Sequence, residues 1–185
     1  MAYPSWSYFP RNVRPPTWVN DLVALTISVQ DEIATDVPVV GIEKPDRTSD
    51  AILAKLTPGM QSLGYQVETG KKRDQKITRP VLYGDDGIPD VSYDIDAFHD
   101  GLGIAVEVEA GRGAANSADY RDIVRTSLLL DAEYLAMFMP LAYRSGQGKR
   151  ATVMPAYNNT RRQLNAIYAS LRLRLPFKGI LLVGY

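Results

Sequence analysis

Ser92–Glu109 reads SYDIDAFHDGLGIAVEVE, and its four carboxylates alternate with apolar residues. Asp94 and Asp96 flank Ile95, and Glu107 and Glu109 flank Val108. Strand side chains two residues apart share a face. The spacing therefore predicts a β-hairpin whose arms each carry a carboxylate pair on one face and aliphatics on the other. A four-residue loop over Asp100–Gly103 sets Asp96 opposite Glu107 and Asp94 opposite Glu109. A two-residue turn at Asp100-Gly101 shifts the partners but keeps all four on one face. Like charges directly across a strand pair repel, and a divalent cation is the simplest agent to offset that repulsion.

A hairpin with one face in water shows the same alternation. Against that reading, Asp and Glu are poor strand formers, and no lysine is interleaved among the four. Ile104–Val108 also reads as a central strand rather than an edge. Asp96 and Glu107 are thus expected as metal ligands, hard oxygen donors suited to Mg2+ with Mn2+ as its substitute. Glu109, one step along the same face, is expected to hold the metal too or to take a proton from an attacking water. An ion bound there can polarise a phosphodiester, lower the pKa of water and stabilise the leaving oxygen. Arg112, Lys71 and Lys72 are the expected phosphate contacts, with Lys72 a candidate catalytic cation. Asp94 is expected to face water, and His99, the one histidine, sits at the hairpin loop without an assigned role.

The rest of the chain limits what such a site can belong to. At 185 residues it is long enough to bury a core as one domain. It has no cysteine, which excludes disulfides, thiolate metal sites and a cysteine nucleophile. The opening MAYPSWSYFPRNVRPP has no apolar core of a secretory signal, and no apolar run reaches bilayer length. A soluble, cytoplasmic protein without a membrane partner is expected. Lys+Arg and Asp+Glu both number 21, giving zero net charge. The charges are nevertheless segregated, with a basic run over Lys71–Arg79, an acidic one over Asp85–Asp100, and a basic C-terminal third. Carboxylates flanked by cations suit a phosphate-cleaving enzyme, since the metal needs the first and the nucleic-acid backbone the second.

Outward from the hairpin, residues 1–16 are expected as an irregular arm and 17–185 as a single domain. Helices are expected over Thr17–Thr35, from Ser49-Asp50 toward Leu63 with Gly64 as C-cap, over Asp119–Glu133 and over Asn158–Leu173. Ile123, Val124, Leu128 and Leu129 are read as the apolar face of the third. Tyr65–Thr69 and Val81–Tyr83 read as strands, and Tyr134–Tyr143 and Phe177–Tyr185 as buried ones. That succession implies an α/β fold, a central mixed sheet with helices on both faces.

On these residues the chain resembles the PD-(D/E)XK nuclease superfamily, the restriction-endonuclease-like fold, and is similar within it to BglII- and BamHI-type enzymes. Asp96 matches the family's first acid, Glu107 the second and Glu109 the third motif position, over roughly residues 49 to 143. Asp90, in Ile-Pro-Asp, matches the written motif literally but precedes the hairpin. The third position lacks the usual lysine, as in the named subgroup, so either Glu109 suffices or Lys71 or Lys72 stands in. Asp50 is the candidate for an added helix carboxylate. The stretch EVEAGRG is also similar to that of small bacterial proteins, which bears on fold alone. The resemblance implies a Mg2+-dependent endonuclease acting on DNA, with a homodimer supplying the two sites that duplex cleavage needs. The alternative is a catalytically inactive binding or assembly module on the same fold, which zero net charge and the missing lysine favour.

Overall fold

The computed structural model describes residues 3–35, 48–110, 117–145, 152–170 and 172–185. In chain order the strands are β1 (Ser5–Phe9), β2 (Gln66–Val67), β3 (Ile77–Tyr83), β4 (Pro89–Ile95), β5 (Ala97–His99), β6 (Ile104–Val108), β7 (Tyr134–Met139), β8 (Tyr143–Ser145), β9 (Thr152–Met154) and β10 (Gly179–Gly184). The helices are α1 (Thr17–Ser28), α2 (Gln30–Ile33), α3 (Ser49–Ser62), α4 (Ala118–Ser127) and α5 (Ala156–Ser170). Six strands form the central sheet in the order β1-β10-β7-β6-β5-β2. β10, β7 and β6 are parallel to one another, and β1, β5 and β2 join antiparallel. The sheet is mixed, as the sequence predicts.

The apolar runs lie at its centre because both of their faces are covered. Along β7, Ala136 and Phe138 enter the core under α1 and α3, while Leu135, Met137 and Met139 enter the core under α4 and α5. β10 divides likewise, Leu181 and Val183 against Ile180 and Leu182. Period-two alternation with apolar residues on both faces is what a strand between two helical layers requires. α3 starts one residue earlier than expected at its cap, where the Thr48 hydroxyl accepts the Ala51 N–H at 3.2 Å. It runs on through Pro58 to Ser62, and Gly64 follows at φ +91°, the left-handed position that glycine tolerates.

Three expectations change. Residues 1–16 are not wholly irregular, because Ser5–Phe9 pairs with β10 as the sheet's edge strand. The third helix ends at Ser127, and of its expected apolar face only Ile123 and Leu129 are buried, with Val124 and Leu128 exposed. The hairpin is also not one continuous pair of arms. β4 belongs to a separate two-stranded sheet with β3, and only β5 pairs with β6.

The β1 edge is closely fitted. Tyr8 is buried and its ring lies over Gly179, where a Cβ would fall on the phenol oxygen. Gly179→Ala is expected to destabilise the fold by about 1–3 kcal/mol through overpacking. Urea denaturation measures this, and an unchanged midpoint would contradict the tight fit.

Candidate active site

The break in the hairpin builds the site. His99 pairs with Ile104 and Ala97 with Val106, so the connection is the four-residue loop, and one step further Asp96 draws level with Glu107. There the ladder stops. Asp96 sits in a bend, its Oδ2 accepts the Val108 N–H at 2.6 Å, and its carbonyl accepts the Glu68 N–H at 2.8 Å. A side-chain acceptor has replaced the strand partner, which lets β4 leave the central sheet. Asp94 leaves with it. It is exposed, accepts the Thr78 hydroxyl at 2.8 Å, and does not stand opposite Glu109 as the uninterrupted hairpin would have it.

Alternation along β6 aims the remaining carboxylates. Ile104, Val106 and Val108 join the core under α1 and α3, so Glu107 points to the α4 face. Glu109 continues that side just past the strand end, its backbone held by Glu109 N–H to the Phe138 carbonyl at 2.9 Å and by the Tyr185 hydroxyl to the Glu109 carbonyl at 2.6 Å. From α4 comes a carboxylate the sequence reading did not single out, Asp122, 2% exposed. Arg121 spans the gap, with Nε 3.1 Å from Asp122 Oδ1 and a terminal nitrogen 3.7 Å from Glu109 Oε1. Arg125, on the same helix, donates to the Asp94 carbonyl at 3.3 Å and stacks over Tyr93.

Carboxylates crowded into a half-buried place raise each other's pKa. Burial lifts Asp96 to about 7, against the pull of the Val108 N–H, with Glu68 and Asp122 adding to the rise and Lys76 opposing it. Burial holds Glu107 well above the usual carboxylate range, and Asp96 and Asp122 push it further while Arg125 lowers it. Glu109 rises to about 8, chiefly by burial and then through the neighbouring Asp122 carboxyl, with Arg121 opposing the rise.

The structure thus brings Asp96, Glu107 and Glu109 to one face and adds Asp122, Glu68 and Lys76. It does not bring Lys71, which is exposed and pairs with Asp50 at 3.0 Å. Lys72 is exposed on the turn ahead of the short 3-10 helix Arg73–Gln75. The lysine beside the carboxylates is Lys76, 2.7 Å from Glu68 Oε2 and within the field of Asp96. Arg112 lies outside the described residues. Asp90 is exposed on the outlying β4 strand. His99 packs edge-on against Tyr65, and its Nδ1 accepts the Leu102 N–H at 3.2 Å, so it closes the hairpin loop. A cavity of about 570 Å³ near β1, bounded by Trp6, Arg14, Pro16 and Asn20 among others, includes none of these carboxylates.

The donor set fits a hard divalent cation. It offers carboxylate oxygens only, and Asp122 Oδ2 is buried without a hydrogen-bond partner. A cation would keep ionised the groups that burial otherwise protonates. Among the described residues no group of three or more His, Asp or Glu side chains is arranged to hold a metal ion. One or two carboxylates with waters completing the shell is the usual way Mg2+ is held. No helix among the described residues is long and apolar enough to cross a membrane.

No protein-family model matches the chain, and no curated protein matches it. Among solved structures it is similar to restriction endonuclease BglII complexed with a DNA 16-mer, with a TM-score of 0.50 and 12% identity over 99% of this chain and 76% of that one. The likeness shows the fold, a restriction-endonuclease-like core with a central mixed sheet between helical layers.

Proposed function

We propose that the protein is a Mg2+-dependent nuclease that hydrolyses phosphodiester bonds in DNA. The observation that carries this reading is the gathering of Asp96, Glu107 and Glu109 on the α4 face, at the bend where β4 leaves a restriction-endonuclease-like sheet. Asp96 and Glu107 hold the cation, and Glu109 completes the set or accepts the proton of the attacking water. When bound, the ion supplies Lewis-acid polarisation of the phosphodiester and a more acidic water. Mn2+ serves in its place.

Lys76 takes the part expected of Lys72. Its ammonium already lies near Asp96, whereas Lys71 is exposed and engaged with Asp50. Lys76 steadies charge on the phosphate being cleaved, and Arg112 and Lys72 belong to the track of the nucleic-acid backbone. A homodimer gives each strand of a duplex one site.

The test is cleavage of plasmid, linear and branched DNA, and of RNA, with Mg2+ or Mn2+ against EDTA. Lys76→Met is expected to slow Mg2+-dependent cleavage about 10²–10³-fold, the range for a lost charge-stabilising group, whereas Lys72→Met is expected to have a far smaller effect. Equal losses in the two variants would return the role to the basic run as a whole.

A second reading, a binding or assembly module without catalysis, has one observation in its favour: Arg121 already neutralises part of the carboxylate cluster. It predicts that wild-type protein is inert on every substrate with either ion and yet retains DNA in a gel-shift assay.

A further inference from the structure

The cavity beside β1 has walls of two kinds, apolar rings and groups suited to an anion. About 570 Å³ of space is bounded by Trp6, Arg14, Pro15, Pro16, Thr17 and Asn20, within the ~300–1,000 Å³ of small-molecule sites. Trp6 is the one exposed residue of its strand, 41% exposed between the buried Ser5 and Ser7. The register sets it opposite Val183, and it shares a strand face with Tyr8, which enters the core under α1 and α3. Its indole therefore lies on the α1 side of the sheet, where Thr17 and Asn20 share one face of the first turn of α1. The loop from β1 to α1 carries two arginines with different surroundings. Arg11 lies over the Phe9 ring at 4.6 Å and donates to the Ser7 hydroxyl at 3.0 Å. Arg14 is exposed and makes no ion pair or hydrogen bond among the described residues.

We propose that this cavity binds a nucleoside monophosphate, its base on Trp6 and its phosphate at Arg14. The chemistry of the walls selects both halves. An exposed indole with two proline rings is an apolar surface for a flat ring, and stacking on an aromatic side chain suits any base. A guanidinium with no carboxylate in the lining calls for an anion, and its planar fork matches phosphate oxygens. Thr17 and Asn20 add a hydroxyl and a carboxamide for hydrogen bonds to the sugar or the base edge. Inorganic phosphate would leave the indole bare, and an uncharged ring would leave the guanidinium unpaired. A nucleotide satisfies both. The site is independent of the nuclease reading. Glu107 points to the α4 face of β6, three strand steps from β1, about 14 Å of sheet at the usual strand spacing.

Titration calorimetry of the full chain in EDTA, which keeps metal off the carboxylates, compares AMP, adenosine and inorganic phosphate. AMP is expected to bind about tenfold or more tightly than either fragment, the range for adding hydrogen bonds to a charged group. Arg14→Gln is expected to reduce AMP to the affinity of adenosine. Trp6→Ala is expected to weaken AMP about 5–150-fold, the range for losing base stacking, and Trp6→Phe, which keeps an aromatic face, by less. Stacking on Trp6 should also quench indole emission, and the quench should vanish in Trp6→Phe, since Trp18 is buried. Arg14 is exposed, so Arg14→Gln is decisive even if Trp6→Ala loosens β1. Displacement of AMP by hexadeoxyadenylate with a terminal phosphate identifies the nucleotide as the end of a strand, and failure to displace it identifies the free mononucleotide; the site stands in both cases. Wild type that binds no AMP at millimolar concentration, or AMP binding unchanged in Arg14→Gln and Trp6→Ala, would overturn the site. Equal affinity for AMP and inorganic phosphate would overturn the part given to Trp6. Each of these failures leaves the metal-dependent reading standing, because none of its carboxylates lines the cavity.

Discussion

Glu107→Ala is expected to lower Mg2+-dependent DNA cleavage by about 10³-fold or more while leaving the fold intact. Glu107 lies on β6 with Asp96 level beside it, and its side chain points from the sheet toward α4. Polarisation of the phosphodiester by a bound cation contributes several kcal/mol to the barrier reduction. Each 1.36 kcal/mol is a factor of ten, so losing a principal ligand removes about three factors of ten. The same change should not unfold the protein. The carboxyl is repelled by Asp96 and Asp122, and β6 is anchored through Val106 and Val108 in the opposite core. Thermal melts at pH 8 without metal should therefore place the variant at or above wild type. Loss of activity together with a collapsed melting curve would mean that Glu107 is structural. Cleavage persisting undiminished would show that the chemistry lies elsewhere.

Much of this arrangement was legible in the sequence, and the reasons differ by element. β7 and β10 were readable because an apolar run with no polar face is compatible with few environments, and a strand covered on both sides is one of them. Asp96, Glu107 and Glu109 were readable because period-two alternation fixes a face whatever the partner strand does. The end of the hairpin was not readable. Ser92–Ala97 alternates without interruption, and the bend at Asp96 depends on the backbone N–H groups of Val108, on β6, and of Glu68, just past the end of β2. β1 was hidden for a similar reason. SWSYF becomes a strand only by pairing with β10, at the other end of the chain. Asp122 does not stand out in the sequence, because the aliphatics around it carry the stronger periodic signal. The buried face of α4 carries Asp119, Asp122, Ile123 and Thr126, spaced three, four and seven residues apart. That is helical spacing with polar side chains turned inward, and a buried polar stripe is the signal that marks a site. The lysine was misplaced within the basic run because Lys71, Lys72 and Lys76 differ only in partners that sequence does not display.

The same crowding of carboxylates predicts how stability depends on pH. Burial raises Asp96 to about 7 and Glu109 to about 8, both far above the values an unfolded chain gives. In metal-free protein, folding therefore takes up protons wherever the pH lies between the unfolded and folded values. Stability falls with rising pH when the native state binds more protons. The contribution of these groups is thus fully present below about pH 4 and lost progressively as pH climbs through 7 and 8, opposite in sign to an ion-paired carboxylate. Urea denaturation in EDTA from pH 5 to 8.5 is expected to show a decline on the order of a few kcal/mol. Mg2+ should reverse it at pH 8.5, by about 1.4 kcal/mol at ten times its dissociation constant, and do little at pH 5, where protons occupy the same oxygens. Glu109→Gln should flatten the upper part of the EDTA curve, since an amide neither ionises nor repels Asp122. A profile that is level in EDTA, or that Mg2+ shifts equally at both pH values, would show that these carboxylates are solvated well enough to ionise independently. The basis for a cation at the bend would then be gone, because the repulsion that an ion is needed to offset would not exist.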